Sequence, residues 1–421
     1  MRAIGLTGRR KLSAGEIEMI VAAHERLVAG KPGGKRAALR FVDLTGADLS
    51  GRDLSDADLS ASILDGAKLV RTNLERANLF GCDLRKADMR RARLARADLR
   101  GACLRGADLS RADLTQADFR VGQIAIPHPS KGLASLSHQR RHGELDNAVL
   151  AGATLHGSQL EDASAFAADF TDCSLKGAKL ARANCKDANF AGAIFDGVDL
   201  AGANLEGANL SNTVLGDVDV RAARLSDATN MLGAMGATTS ESMARAPSLL
   251  DQALANHKWC ASGGREGRPA NFDGEDLRPL GDKLRGLRLS AMSAKCAIMV
   301  GLDLTGAQLQ GANLDGADLR GAVLDSADLR GVRLVGANLI KSDLRDAVFA
   351  PLPLSATRST PAHLDGAKLR YVLAQRADMT GVIFDGADLR GSDFSRALLT
   401  GASLRDVGLA GSVGLEIVLA A

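Results

Sequence analysis

Aromatic residues are nearly missing from this chain. Its 421 residues include one Trp, one Tyr and eleven Phe, 3% in all, although 46% of the residues are apolar. A core of that size must be filled by small and medium aliphatic side chains. Proline is scarce, at 9 residues, and the 46 glycines have no strict period of three, which excludes a collagen-like chain. The apolar content excludes extended disorder. No apolar run approaches the roughly 18 residues of a membrane-spanning helix. The opening MRAIGLTGRRKLSAGEI lacks the apolar stretch of a secretory signal, so a cytoplasmic chain is expected. The six cysteines are scattered without a C-x-x-C pair. Cys82, Cys173 and Cys185 read as reduced core residues. Phosphate loops, H-E-x-x-H and G-x-S-x-G are all missing. His128, His138, His142 and Glu144 have loose metal-like spacing but read as a solvated loop. The expectation is no enzyme, no metal and no cofactor.

What the chain has instead is a period of five. From Val42 it reads VDLTG ADLSG RDLSD ADLSA SILDG AKLVR TNLER ANLFG, and it continues so to Phe119. A large apolar residue sits at 44, 49, 54 and every fifth position, with a small residue two places earlier. A step of five carries a side chain around every face of an α-helix and alternates it between the faces of a straight strand. All these residues can point inward only if the chain bends after each unit. Four bends close a square coil of twenty residues, with glycine favoured at corners where φ is positive. Stacked coils then pair their backbones about 4.8 Å apart. Leu49, Leu54, Leu74, Leu94, Leu99, Leu205, Leu314, Leu319 and Leu389 are core by this reading.

The A(D/N)LXX pattern resembles the pentapeptide-repeat protein family. That resemblance implies an all-β solenoid, a right-handed quadrilateral β-helix. The repeats form four runs, centred at 44–119, 145–225, 284–349 and 364–409. They predict two modules, each preceded by a capping α-helix. Residues 1–40 would be an N-terminal segment with the first cap, and 41–228 the first β-helix with an insertion at 120–143. Residues 229–276 would be a linker with the second cap, and 277–421 the second β-helix with a loop at 350–363. The first insertion shifts the numbering of the repeat by one, whereas the second preserves it. His24 lies twenty residues before Leu44, and His257 lies twenty before Leu277, so the two histidines are expected to serve matching caps. The apolar tail is expected to cover the last coil or to pair with a second copy. End-to-end homodimers are what the family resemblance implies.

The near-neutral total of +3 hides an asymmetry. Residues 1–143 hold 26 Lys and Arg against 16 Asp and Glu, whereas 144–228 hold 6 against 13. Spacing of twenty should stack Arg71, Arg91 and Arg111 in one column, Arg76 and Arg96 in another, and Arg85 and Arg105 in a third. Such columns repel unless anions counter them; neighbouring Asp88, Asp98 and Asp108 can supply part of that, so a solvated, internally compensated surface is the plainer reading and an anion-binding face the sharper one. The columns are the candidate interaction surface. The leading expectation is a non-enzymatic scaffold of the bacterial cytosol that binds a protein partner through its faces and inserted loops. A second reading follows from the resemblance, because quinolone-resistance members bind DNA gyrase as acidic DNA mimics. This chain departs from them in its basic first part. A third reading is nucleic acid or another anion bound along the Arg-rich face 71–111. The lack of surface aromatics argues against base stacking.

Overall fold

The computed structural model describes residues 9–128 and 132–415. The chain divides into two compact units, Met1–Ala237 and Thr238–Ala421. In both, the repeat becomes a parallel ladder of bridges between residues twenty apart, such as Asp43 with Ile63 and Ile63 with Asp83. Each five-residue unit is one side of a four-sided coil.

The unit Asp58–Ser62 shows where its backbone donors go. The N–H of Asp58 reaches the carbonyl of Ala37 below (3.0 Å). Those of Leu59 and Ala61 reach Asn78 and Phe80 above (2.9 and 2.7 Å). The N–H of Ser62 closes the corner on the carbonyl of Leu59 (3.1 Å). Four donors are thus met by backbone. The fifth, on Ser60, points outward and is met by Oδ1 of Asp58 (3.1 Å). Buried or crowded amides need such partners, which accounts for the Asp or Asn that recurs just before each Leu. Asn73, Asn78, Asn204 and Asn209 accept from the residue two places on in the same way.

The corner residue takes a left-handed conformation. Gly46, Gly51 and Gly66 have φ of 68°, 70° and 65°, and Arg71, Arg76, Arg91, Arg96 and Arg111 occupy the same turn with φ of 54° to 61°. One corner requires glycine for a second reason. A Cβ on Gly192 would strike Oδ1 of Asp172, which rises from the corner directly below.

The interior holds one column of large side chains per face. Leu49, Leu54, Leu74, Leu94, Leu99 and Leu205 are all buried in the first unit, as are Leu314, Leu319 and Leu389 in the second. Phe170 and Phe190 stack with ring centroids 4.7 Å apart. Small inward positions are filled by Ala, or by Ser, Thr and Cys that donate to a carbonyl of the coil below. Thr72 does so to Leu49 (2.8 Å) and Cys82 to Leu59 (3.0 Å). Burial pushes the Cys82 thiol up to about 12. Cys82, Cys173 and Cys185 are all buried and unpaired by disulfides.

The insertion after Phe119 contains a hairpin, Gly122–His128 with Gly132–Arg141. Beyond it the stack resumes without a slip, because Cys103 bridges Glu144 and Asp118 bridges Gln159. The shift of one in the numbering is therefore taken up by the inserted segment, and the coil keeps its register. The second insertion is a short hairpin, Leu352–Pro353 with Ser359–Thr360. The ladder passes it from Arg333 to His363. Leu352 and Thr360 lie against the corner of Gly331, where a Cβ would collide with both.

The ends of the coils differ from the repeat pattern. In the first unit the coil runs on to Met235, which bridges Val214. Leu225, by contrast, is 36% exposed. The extra residue that separates Asn209 from Asn230 by 21 positions breaks the period there, so the inward sequence is taken by Met231 and Ala234. In the second unit the coil has begun by Asn271, which bridges Ser293, and Phe272 is fully buried.

Helix α1 (Ala14–Val28) begins at a capping box. The N–H of Ser13 donates to Glu16 (2.8 Å), and the N–H of Glu16 donates to the Ser13 hydroxyl (3.3 Å). Its Val21 joins the Leu core, with Ile17 and Ile20 beside it. Helix α2 (Ser240–Ala261) starts at Thr239 and contributes Leu249 and Ala253 to the second core. The pairing of His24 with His257 is corrected by the structure. His24 is buried, accepts from the N–H of Ala37 (3.2 Å) and donates to the carbonyl of Ser55 (2.8 Å). In α2 the equivalent side chain is Asn256, which accepts from Ala270 (2.9 Å) and donates to Ser290 (3.2 Å). His257, one residue on, is turned 100° around the helix and only accepts from the N–H of Arg288 (3.1 Å).

Truncating a core column and altering the surface beside it should separate cleanly. Leu94→Ala should lower stability by about 2–5 kcal/mol in thermal or urea melts. Arg96→Glu, two positions on and facing out, should stay within about 0.5 kcal/mol of the parent. Equal losses would mean that the inward and outward positions are wrongly assigned.

Candidate interaction surface

A strand places residues on either side of an inward Leu on the same outward face. Asp and Arg spaced as Asp-Leu-Arg therefore meet across a flat side of the coil. Arg85 grips Asp83 with Nε at 2.7 Å and Nη2 at 2.5 Å. Arg100 grips Asp98 at 2.9 and 2.7 Å. Arg90 with Asp88, Arg120 with Asp118 and, in the second unit, Arg330 with Asp328 repeat the geometry. In each the Asp also caps its outward amide, so one carboxylate serves two donors of the same residue. This tripeptide is written plainly in the sequence, and strand alternation alone, not the spacing of twenty, brings its two ends together.

The seven candidate arginines divide accordingly. Arg85 pairs with Asp83, and Arg105 reaches Glu144 and Asp146 of the next coil (3.0 and 3.5 Å). Arg76 stands at a corner but grips Asp56 directly below it (2.8 and 2.6 Å). Carboxylates thus compensate these three, as the plainer reading of the columns expects. Arg96, above Arg76, donates to the neutral amide of Gln116 (2.9 Å). Arg71 is exposed and forms no ion pair among the described residues. Arg71, Arg91 and Arg111 share one corner column, coil upon coil. Three guanidinium groups are thereby held one above another on the ridge between two sides.

The acidic stretch is also partly neutralised. Arg182 grips Asp162 from the corner above (2.8 and 2.7 Å), and Lys176 pairs with Asp196 and Arg224 with Glu206. Asn189, Asn209 and Asn230 form an amide ladder, each donating to the residue below at 3.0 to 3.4 Å. Such ladders fit the coil spacing and carry no charge.

Among the described residues no group of His, Cys, Asp and Glu could hold a metal. His142 donates from Nδ1 to the carbonyl of Asp162 (2.8 Å). The side chains of His128 and His138 lie outside the described residues. No helix among the described residues is long and apolar enough to cross a membrane.

Many of the surface carboxylates are held below the ordinary range. Asp43 is lowered by the hydroxyl and N–H of Thr45, Asp48 by those of Ser50, and Asp88 by the guanidinium of Arg90. A carboxyl depressed by folding stabilises the fold above its unfolded value of about 3.9 and ceases to do so as pH falls through the folded value. Melting temperature should accordingly be flat from neutral pH to about pH 5 in these contributions and drop below about pH 4. At a single site, Asp98→Ala should cost about 1 kcal/mol more than Asp98→Asn. The amide still accepts from the Arg100 N–H, as Asn78 does for Phe80. Equal losses in urea melts would mean that the ion pair, not the amide cap, is what the position supplies.

The sequence pattern described as pentapeptide repeats, in eight copies, matches residues 37–76, 92–120, 168–207, 195–227, 203–234, 303–346 and 362–401. No curated protein is a significant match. Among solved structures, this chain is similar to HetL, a pentapeptide repeat protein involved in heterocyst differentiation regulation in the cyanobacterium Nostoc sp. strain PCC 7120. Identity is 18% and the TM-score 0.22, with 94% of this chain and 97% of HetL covered. It is similar also to full-length QnrB1, a plasmid-mediated fluoroquinolone resistance protein, at 19% identity and TM-score 0.28, covering 48% of this chain and 86% of QnrB1. A third is Rfr23 of the cyanobacterium Cyanothece 51142, at 23% identity and TM-score 0.17, covering 33% and 86%. With the repeat pattern matching more than half of its residues, the chain belongs to the pentapeptide repeat family.

Proposed function

We propose that the chain is a non-catalytic scaffold of the cytoplasm that docks an acidic protein partner along the arginine ridge of its first unit. It comprises two β-helices, each begun by a capping helix. The observation that carries the reading is the division of charge. Arginines on the flat sides have carboxylate partners, whereas Arg71 has none among the described residues and Arg96 has only an amide. Arg71, Arg91 and Arg111 are held in a fixed row by the coil spacing, so little order is lost when an acidic surface meets them. Electrostatic complementarity of this kind speeds encounter and sets orientation. A second copy meeting the C-terminal coil belongs to the same proposal. Leu404 and Leu409 there are only partly buried, and residues 416–421 lie outside the described residues. The DNA-mimic reading is not adopted, because the acidic stretch carries Arg182, Lys176 and Arg224 in ion pairs and an uncharged Asn ladder.

The test is a pull-down from nuclease-treated host extract with the parent and with Arg71→Glu, Arg91→Glu and Arg96→Glu combined. The parent is expected to retain an acidic protein that about 0.5 M salt releases. The triple variant should retain at least tenfold less while melting at a similar temperature. Retention by both proteins alike, or retention that nuclease treatment abolishes, would contradict the reading.

A further inference from the structure

Each helix meets its coil through one buried polar side chain. In the first unit His24, 1% exposed, accepts from the Ala37 N–H at Nδ1 and donates from Nε2 to the Ser55 carbonyl. In the second unit Asn256, fully buried, makes the same two contacts to Ala270 and Ser290. The amide and the imidazole offer one acceptor and one donor each. They differ in one respect: the imidazole can take a proton near neutral pH and the amide cannot.

We propose that His24 makes α1 a pH-released latch on the first unit, whereas α2 is held at its buried contact by Asn256; His257 of α2 accepts from the Arg288 N–H, but it is only half-buried and can turn to water when that bond is lost. Nδ1 must be unprotonated to receive the Ala37 N–H. A proton there turns the acceptor into a donor facing another donor, and Ala37 is itself buried. Two buried donors aimed at each other cannot both be satisfied. The charges around the ring work in the other direction. Asp53 and Asp56 of the first coils both act on His24 electrostatically. Glu25 lies beside it on α1, held by Arg52, which also engages Glu18. Arg36 of the connecting segment donates to the carbonyl of Asp56. The carboxyls of Asp53, Asp56 and Glu25 are all held below their ordinary range, so they stay ionised and attract a protonated ring in place, which offsets part of the donor–donor conflict at Ala37. Arg36 and Arg52 oppose this in part. Their charge is shared with Asp56 and with Glu25 and Glu18. Release of α1 withdraws Val21 from the Leu core and uncovers the coil that begins at Ala37 and Leu39. An uncovered coil edge is a template for pairing with another strand, which makes the latch a means of gating assembly.

Hydrogen exchange of the full chain followed by mass spectrometry at pH 7.5 and pH 5.5, corrected for the intrinsic pH dependence of exchange, tests this. In the parent, protection of residues 14–28 should fall several-fold, up to about tenfold, at pH 5.5, whereas protection of residues 240–261 should change by less than about twofold. His24→Asn, which installs the side chain used by the second unit, should remove the pH response of α1. Unchanged protection of α1 in the parent, or the same loss in α1 and α2, would overturn the proposal. So would an undiminished pH response in His24→Asn. Should that variant prove unstable, the comparison of α1 with α2 within the parent still decides.

Discussion

The structure depends on one constraint: each backbone amide must find an acceptor while the chain turns a corner every fifth residue. Parallel pairing at intervals of twenty satisfies two donors upward and one downward, and the corner satisfies a fourth. The fifth is left pointing outward, and the Asp or Asn before each Leu accepts from it, as Asp58 does for Ser60. The composition follows from this arrangement. The narrow interior takes Leu, Ala and some Phe, each Leu contributing roughly 1.5–3 kcal/mol. Corners take glycine or a polar residue that tolerates positive φ. Tryptophan and tyrosine have almost no place in it.

The same arrangement governs the charges. Because neighbours on a flat side are two residues apart, Asp-Leu-Arg closes on itself, as in Asp98 with Arg100. Because corners stack at fixed spacing, a corner arginine meets whatever stands in its column. Arg76 meets Asp56, and Arg96 meets Gln116. A corner arginine therefore keeps or loses its charge according to what its column holds. An interaction surface on this fold is a property of columns, not of the overall charge.

Much of the fold was legible in the sequence. The inward Leu positions, the small inward residues and the glycine corners follow from the period of five alone. Three things were not. The insertion at 120–143 was expected inside one β-helix, but its hairpin hides the register, since an excess that is not a multiple of five looks like a shift although the ladder keeps its columns. The twenty-residue spacing that relates His24 to His257 is a coincidence of counting, whereas helix geometry selects Asn256. The neutralising partners of Arg85 and Arg105 could not be chosen among many nearby carboxylates without the coordinates. The Asp-x-Arg signal was nevertheless present and followed from simple strand alternation.

The period itself is the central claim, and a deletion series tests it directly. Removing the twenty residues 304–323 excises one whole coil and rejoins Asp303 to Leu324, which keeps every inward position inward. Removing only 304–321 joins Asp303 to Ala322, which keeps the alternation but puts a small residue where Leu304 stood and carries every later corner two positions out of its column. Circular dichroism melts should show a cooperative β-sheet transition for the second unit of the twenty-residue deletion and its loss in the eighteen-residue deletion. Equal behaviour of the two proteins would contradict the account.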